Sequence, residues 1–137
     1  MGSWLTSWGW LLSDRLLEVF KRLRAIAQAP SDVALQDELL EEAKSIVQDI
    51  TVDHVGAADI FIKDAELNAT IKDEVRKECQ LLTEYLEVAR RFNLEINSRA
   101  KDRVVSYGEK LSCRFMACLL KDKVRVGLAC WFAWLCR

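Results

Sequence analysis

One proline in 137 residues, with only five glycines, is the feature that most restricts this chain. Proline and glycine are the residues that helix interiors tolerate least. A chain that nearly lacks both, and whose apolar residues recur at three- and four-residue steps, is built to form helices. Pro30 is the single strong stop, because the residue before a proline is pushed out of the helical region.

The pattern on either side of Pro30 predicts four segments. The first helix runs from about Trp4 or Ser13 to Ala29, with Leu16, Val19, Phe20, Leu23, Ile26 and Ala27 on one face and Ser13 or Asp14 as a cap for its charged part. The second opens at Ser31 or Asp32 and carries Leu35, Leu39, Leu40, Ala43, Ile46, Val47 and Ile50. It continues through Val55, Ala58 and Phe61, with a kink expected at Gly56 and the β-branched pair Thr51-Val52. The third begins near Asp64 or Ala65 and ends near Phe92-Asn93. Its stripe is Leu67, Ile71, Val75, Cys79, Leu82, Leu86 and Ala89, with Lys72, Glu74, Arg76 and Glu78 on solvated faces. The fourth starts after Asn97, with Ser98 as its cap. Val104, Val105, Leu111, Phe115, Met116 and Leu119 form its apolar side, and Gly108 interrupts it. The expected fold is all-α, an irregular bundle of four or more helices with short connections. The length suits one helical domain over 1–137.

Both ends of the chain differ from its body. Residues 1–12 and 124–137 are Trp-rich and almost uncharged, with Trp4, Trp8 and Trp10 at one end and Trp131, Phe132 and Trp134 at the other. Three readings stand for these ends. They pack on each other and the bundle, they form a homo-oligomer or partner interface, or they sit at a membrane surface. The start also fits the loose myristoylation pattern at Gly2 and Thr6. No run approaches the ~20 apolar residues of a membrane span, and no basic segment precedes an apolar run as in a secretory signal. A cytoplasmic protein without a transmembrane span is expected.

Charge excludes one class of partner. With 20 basic and 21 acidic residues the net charge is −1, which gives no electrostatic footprint for nucleic acid. The five cysteines form no C-x-x-C pair and His54 is the only histidine, so no zinc site is indicated. The cysteines read as ordinary reduced thiols.

Two groups of polar residues are candidates for chemistry. His54 follows Asp53, but adjacent helical residues point about 100° apart, so Asp53 is poorly placed to orient a histidine base. A partly exposed or capping histidine is the simpler reading. The run Asp37-Glu38-Leu-Leu-Glu41-Glu42 places carboxylates one turn apart, and Asp102, Ser106 and Glu109 form another acidic face. Such carboxylates can hold magnesium with a diphosphate. That is an alternative reading, in which a small cyclase- or isomerase-type biosynthetic enzyme acts on an apolar metabolite in a helical pocket. Without it no cofactor is predicted, and the acidic residues are solvated faces.

Three stretches carry a more specific signal. Val47-Gln-Asp-Ile-Thr-Val-Asp-His-Val-Gly-Ala-Ala-Asp59 is followed by the long segment Glu78 to Asn97. Then comes Ser98 to Ala117, which contains Gly108, Glu109, Lys110, Leu111 and Ser112. In this order the three resemble the helical middle segment of fungal-type aspartokinases. The resemblance implies an enzyme that phosphorylates the side-chain carboxylate of aspartate with ATP. It implies that Glu109, after Gly108, holds the substrate's ammonium group, a charge-assisted contact. The family's Lys-Phe-Gly-Gly-Thr-Ser phosphate-binding run is not in this chain, and the regulatory domains that follow in the family are not either. Phosphoryl transfer needs phosphates, metal and acceptor held in line. The expectation is therefore an aspartokinase-like helical protein without kinase activity of its own. It would act by binding a second copy of itself, a full-length aspartokinase or a small ligand, possible apolar ligands included.

Overall fold

Pro30 does end the first helix, and its chain neighbours begin the second. The computed structural model describes residues 2–136, with side chains from Leu11 onward. These residues form four α-helices: α1 (Gly2–Gln28), α2 (Val33–Phe61), α3 (Ala65–Arg91) and α4 (Ser98–Leu135). No strand forms among the described residues.

Each later helix starts at a short polar side chain that accepts from its first turn. Asp32 accepts from Leu35 N–H at 3.0 Å, Asp64 from Leu67 N–H at 2.9 Å, and Asn97 from Arg99 and Ala100 N–H at 3.0 and 3.3 Å. These bonds satisfy amide donors that have no partner inside the helix. Asn97 takes the capping position expected of Ser98, which is the first helical residue. α3 ends with Asn93 at φ 47, the left-handed conformation that asparagine tolerates best after glycine.

The interruption expected at Gly108 does not occur, and every helix is continuous. α1 runs unbroken through Ser13 and Asp14, α2 through Thr51, Val52 and Gly56, and α4 through Gly108. Thr51 stays helical by donating its hydroxyl to the Val47 carbonyl at 3.0 Å. Gly56 lies on an exposed face with nothing near its Cα. Gly108 is buried where α4 meets α1, and a Cβ there would lie 2.4 Å from Leu16 Cδ1. Its missing side chain lets two helices approach.

The core follows one rule of spacing. Buried positions step by four and three in every helix: 12, 16, 19, 23 and 26 in α1, then 36, 40, 43, 47, 50, 54 and 57 in α2. In α3 they are 71, 75, 78, 82, 86 and 89, and in α4 they are 100, 104, 108, 111, 115, 118 and 122. This is the stripe that lets straight helices pack as a bundle. Phe115, Leu16, Leu23, Ile50, Ile71 and Leu86 are among its largest fully buried side chains, each stabilising by about 1.5–3 kcal/mol through transfer from water. Ala27, Leu35 and Met116 were expected on the stripe but are exposed. Each sits one residue, about 100°, from a stripe position.

α1 packs on α2 and α4, and α3 packs on the same two, so α1–α3 and α2–α4 are diagonals. Ion pairs show that neighbours are antiparallel. Arg15 meets Asp53 and Arg22 meets Glu42 between α1 and α2. Asp37–Arg90, Lys44–Glu87 and Asp59–Lys72 join α2 to α3. Glu78–Arg114 joins α3 to α4. Glu78 was expected in solvent, but it occupies a stripe position and is buried.

α4 has 38 residues against 27 to 29 in the others. Its last buried residue is Asp122, and residues 123–136 are exposed. Trp131 is 59% and Trp134 72% exposed, so these two do not pack on the bundle. The side chains of Trp4, Trp8 and Trp10 lie outside the described ones.

The two glycines separate helix propensity from packing. Gly56→Ala should stabilise the fold by roughly 0.5–1 kcal/mol, since nothing opposes a new methyl there. Gly108→Val should destabilise it by about 1–3 kcal/mol, because Leu16 is itself fully buried and has no room to move. Urea unfolding of both variants measures the two signs.

Candidate functional site

The resemblance points to Gly108 and Glu109, and α4 turns them to opposite environments. Gly108 faces Leu12 and Leu16 of α1. It is closed to ligand, and the close approach it permits is that of a helix. Glu109, one residue on, is exposed and makes no ion pair among the described residues. Beside it Tyr107 is half-buried, with the Lys110 ammonium 5.4 Å from the centre of its ring. Burial pushes the Tyr107 hydroxyl above its usual range. The segment therefore offers one solvated carboxylate free of a cation, next to an aromatic face. A carboxylate so placed can accept an ammonium group.

The acidic residues of the alternative reading do not meet. Asp37 is paired with Arg90, Glu41 with Lys44 at 3.2 Å, and Glu38 is exposed. Asp102 is exposed on α4, and Ser106 donates its hydroxyl to the Arg103 carbonyl at 2.7 Å. The first three lie on α2 and the last two on its diagonal partner, so the bundle interior separates them. Among the described residues no three His, Cys, Asp or Glu side chains are grouped to hold a metal ion. The largest grooves are open clefts on the outside of helix pairs. One of about 500 Å³, between α2 and α3, is lined by Lys44, Thr51, Arg76 and Thr83. No helix of the described residues is long and apolar enough to cross a membrane.

His54 is a core residue, which corrects the expectation of an exposed or capping histidine. It is 3% exposed, and its Nδ1 lies 2.7 Å from the Ile50 carbonyl. Its ring meets Phe115 edge-on with centroids 6.1 Å apart. Asp53 turns away to Arg15. Burial holds the imidazole below its ordinary value near 6.5, so it packs as a neutral ring. Burial likewise raises the thiols of Cys79 and Cys118. Cys113, Cys130 and Cys136 are exposed, and all five thiols are free.

Sequence reasoning missed Asp122. It is 1% exposed and accepts from the backbone N–H groups of Lys63 and Asp64 at 3.0 and 2.9 Å. Those two bonds hold its carboxyl below the usual carboxylate range. Asp64 in turn caps α3 and pairs with Arg125 at 2.9 Å. One carboxylate thus fastens the α2–α3 turn to α4. The signal was present: Gln36, His54, Glu78 and Asp122 all fall on the four-and-three stripe, where a polar residue needs a partner within the fold.

Comparison with known proteins places the chain beside one enzyme. It is 40% identical over 111 residues to aspartate kinase FUB3 of Gibberella moniliformis, covering 81% of this chain and 22% of that protein. It is 39% identical over 92 residues to the aspartokinase of Saccharomyces cerevisiae, covering 67% of this chain and 17% of that protein. Against the aspartokinase of Schizosaccharomyces pombe it is 41% identical over 78 residues, with 57% and 15% covered. The chain thus spans about a fifth of the length of the curated relatives it matches. No family model matches it, and no solved structure gives a significant match.

His54 is the single histidine of the chain, which isolates its effect on stability. Its pKa is lower folded than unfolded, so below about pH 6.5 the unfolded chain binds a proton that the folded chain does not. The contribution is fully present above pH 6.5 and is lost as the pH falls toward the folded value. Urea unfolding should show a loss of stability as the pH is lowered from 7.5 to 5.5. His54→Gln should remove most of that loss.

Proposed function

Because the chain is homologous to a helical segment of the fungal aspartokinases, we propose that it is a binding module of aspartokinase descent which does not transfer phosphate by itself. Its ligand is the ammonium group of an amino acid, aspartate first, and Glu109 is the contact. The observation that supports this most directly is the state of Glu109: an exposed carboxylate with no cation on it, on a helix fixed to α1 by the buried Gly108. A carboxylate engaged by Lys or Arg, as Asp37 and Glu78 are, would have to break that pair before accepting a ligand. The Gly-Glu-Lys-Leu-Ser segment is also where the chain most resembles the kinases.

The lack of phosphoryl transfer rests on the functional groups at hand. A loose phosphoryl transition state is stabilised by cationic groups and metal arranged around one oxygen cluster. The 137 residues hold no Lys-Phe-Gly-Gly-Thr-Ser run. A full-length aspartokinase is the natural protein partner on this reading, since a homologous helical segment can compete for the contacts its counterpart makes.

Isothermal calorimetry tests the ligand. The protein should bind L-aspartate weakly, and Glu109→Gln should abolish the heat of binding while leaving the helical circular dichroism unchanged. Absence of binding by the parent protein removes Glu109 as a ligand contact. ATP-dependent phosphorylation of aspartate by the purified chain would overturn the non-kinase assignment.

A further inference from the structure

α4 carries a second apolar stripe on the side away from the core. The core stripe ends at Asp122. Rotated about half a turn from it, at 100° per residue, lie Leu120, Val124, Leu128, Trp131 and Leu135. Their steps of four, four, three and four are the spacing of a helix-pairing seam. All five are exposed, from 49% at Leu128 to 60% at Leu120. Phe132 and Trp134 flank them at 60% and 72%. Between Val126 and Cys136 there is no charged residue, and Arg125, at the foot of the seam, is neutralised by Asp64.

Two features of the seam favour a partner on it. Beyond the Arg125–Asp64 pair and the groove beside Leu67, residues 123–136 are exposed, and an isolated helix of that length is marginal in water unless a face is packed. The exposed side chains of the seam and its flanks also present apolar area on the order of 1,000 Å². That compares with the ~800 Å² that each partner buries in a standard interface.

We propose that α4 pairs with α4 of a second copy of this chain, antiparallel, about a two-fold axis between Ala129 and Cys130. The register follows from the seam itself. With the axis there, Leu128 of each copy faces Trp131 of the other, and Val124 faces Leu135. The projecting tip then reaches the foot of its partner, where a groove of about 430 Å³ is lined mainly by Leu67, Leu120, Val124 and Leu128, with Lys121 and Arg125 at its edge. A tip of Trp and Leu and an apolar groove one seam-length away on the same molecule are complementary under two-fold symmetry, the condition for a closed dimer. A membrane surface fits less well. Its basic residues Lys121, Lys123 and Arg125 stand at the foot, beside the bundle, and none lies among residues 126–136, while the seam spacing matches a helix better than a plane.

The pairing deepens the binding role proposed above, and it is independent of Glu109: failure to bind aspartate would leave it standing. Sedimentation velocity from about 1 to 100 μM, in reducing buffer, should show a reversible dimer. Leu128→Ala with Trp131→Ala should weaken dimerisation at least ~100-fold, as loss of central anchors does. Alanine favours helix, so helical circular dichroism should persist. Val88→Asp, on an exposed face of α3, should leave the dimer intact. A monomer throughout that range overturns the proposal, as does a dimer indifferent to the double substitution. So does a monomer that floats with phosphatidylcholine–phosphatidylserine vesicles.

Discussion

The four-and-three apolar stripe is the constraint on which everything else in this molecule rests. Every helix obeys it, and its only polar members are Gln36, His54, Glu78 and Asp122. A polar group in such a position costs free energy unless it is hydrogen-bonded. Two of the four are placed at helix ends, where backbone groups also lack partners. Gln36 donates to the Ile26 carbonyl at 3.2 Å near the end of α1, and Asp122 accepts from the turn before α3. The Ile26 carbonyl also accepts from Ala29 N–H at 3.3 Å, and each of these two side chains ties one helix end to another helix. His54 and Glu78 sit further inside and are met by the Ile50 carbonyl and by Arg114. The ion pairs outside this core are mostly solvated. Such pairs contribute little individually, but they run between every consecutive pair of helices and match only the antiparallel register.

Much of this was legible from residue spacing. The all-helical architecture follows from the scarcity of proline and glycine, and Asp32, Asp64 and Asn93 mark boundaries because their side chains have local chemistry to perform. What was not legible depends on neighbours distant in sequence. Gly56 and Gly108 look alike as helix breakers, yet one faces solvent and the other is the gap that α1 fills. Glu78 looks like part of a charged face when its nearest neighbours are counted, and like a core position when the stripe is counted. For the candidate site the limit was topology. Asp37 and Asp102 each belong to a plausible acidic cluster, but only the order of helices around the bundle shows that they sit on diagonal elements. Spacing placed Glu109 only on an acidic face with Asp102 and Ser106; its role as an ammonium contact came from resemblance, since no spacing rule singles out an exposed glutamate.

Gly108 and Glu109 illustrate how one short segment serves two purposes. In the reading suggested by resemblance, the glycine lets a ligand approach the backbone. In this fold the same missing Cβ is used by Leu16. A helix held against α1 at that point has little freedom to rotate, so the direction of Glu109 is set by packing and not by its own contacts. The carboxylate is thus oriented through the backbone of α4 without spending its charge on a structural partner.

α4 belongs to the bundle along most of its length and leaves it at its C-terminal end. Through residue 122 its inner face completes the bundle, and beyond it the helix continues without the body. The charge pattern changes at the same place. Interhelical ion pairs mark the body, and the last of them, Arg125–Asp64, stands at the foot of the projection. A seam without charges past that point has no means of choosing orientation electrostatically. Shape must choose instead, and the groove beside Leu67 is the one feature along the seam that differs between its two ends. An antiparallel pair fills that groove twice, whereas a parallel pair leaves both grooves empty and sets the two bulky bundles side by side. The asymmetry of the seam, and not its hydrophobicity, therefore decides how two such helices would lie.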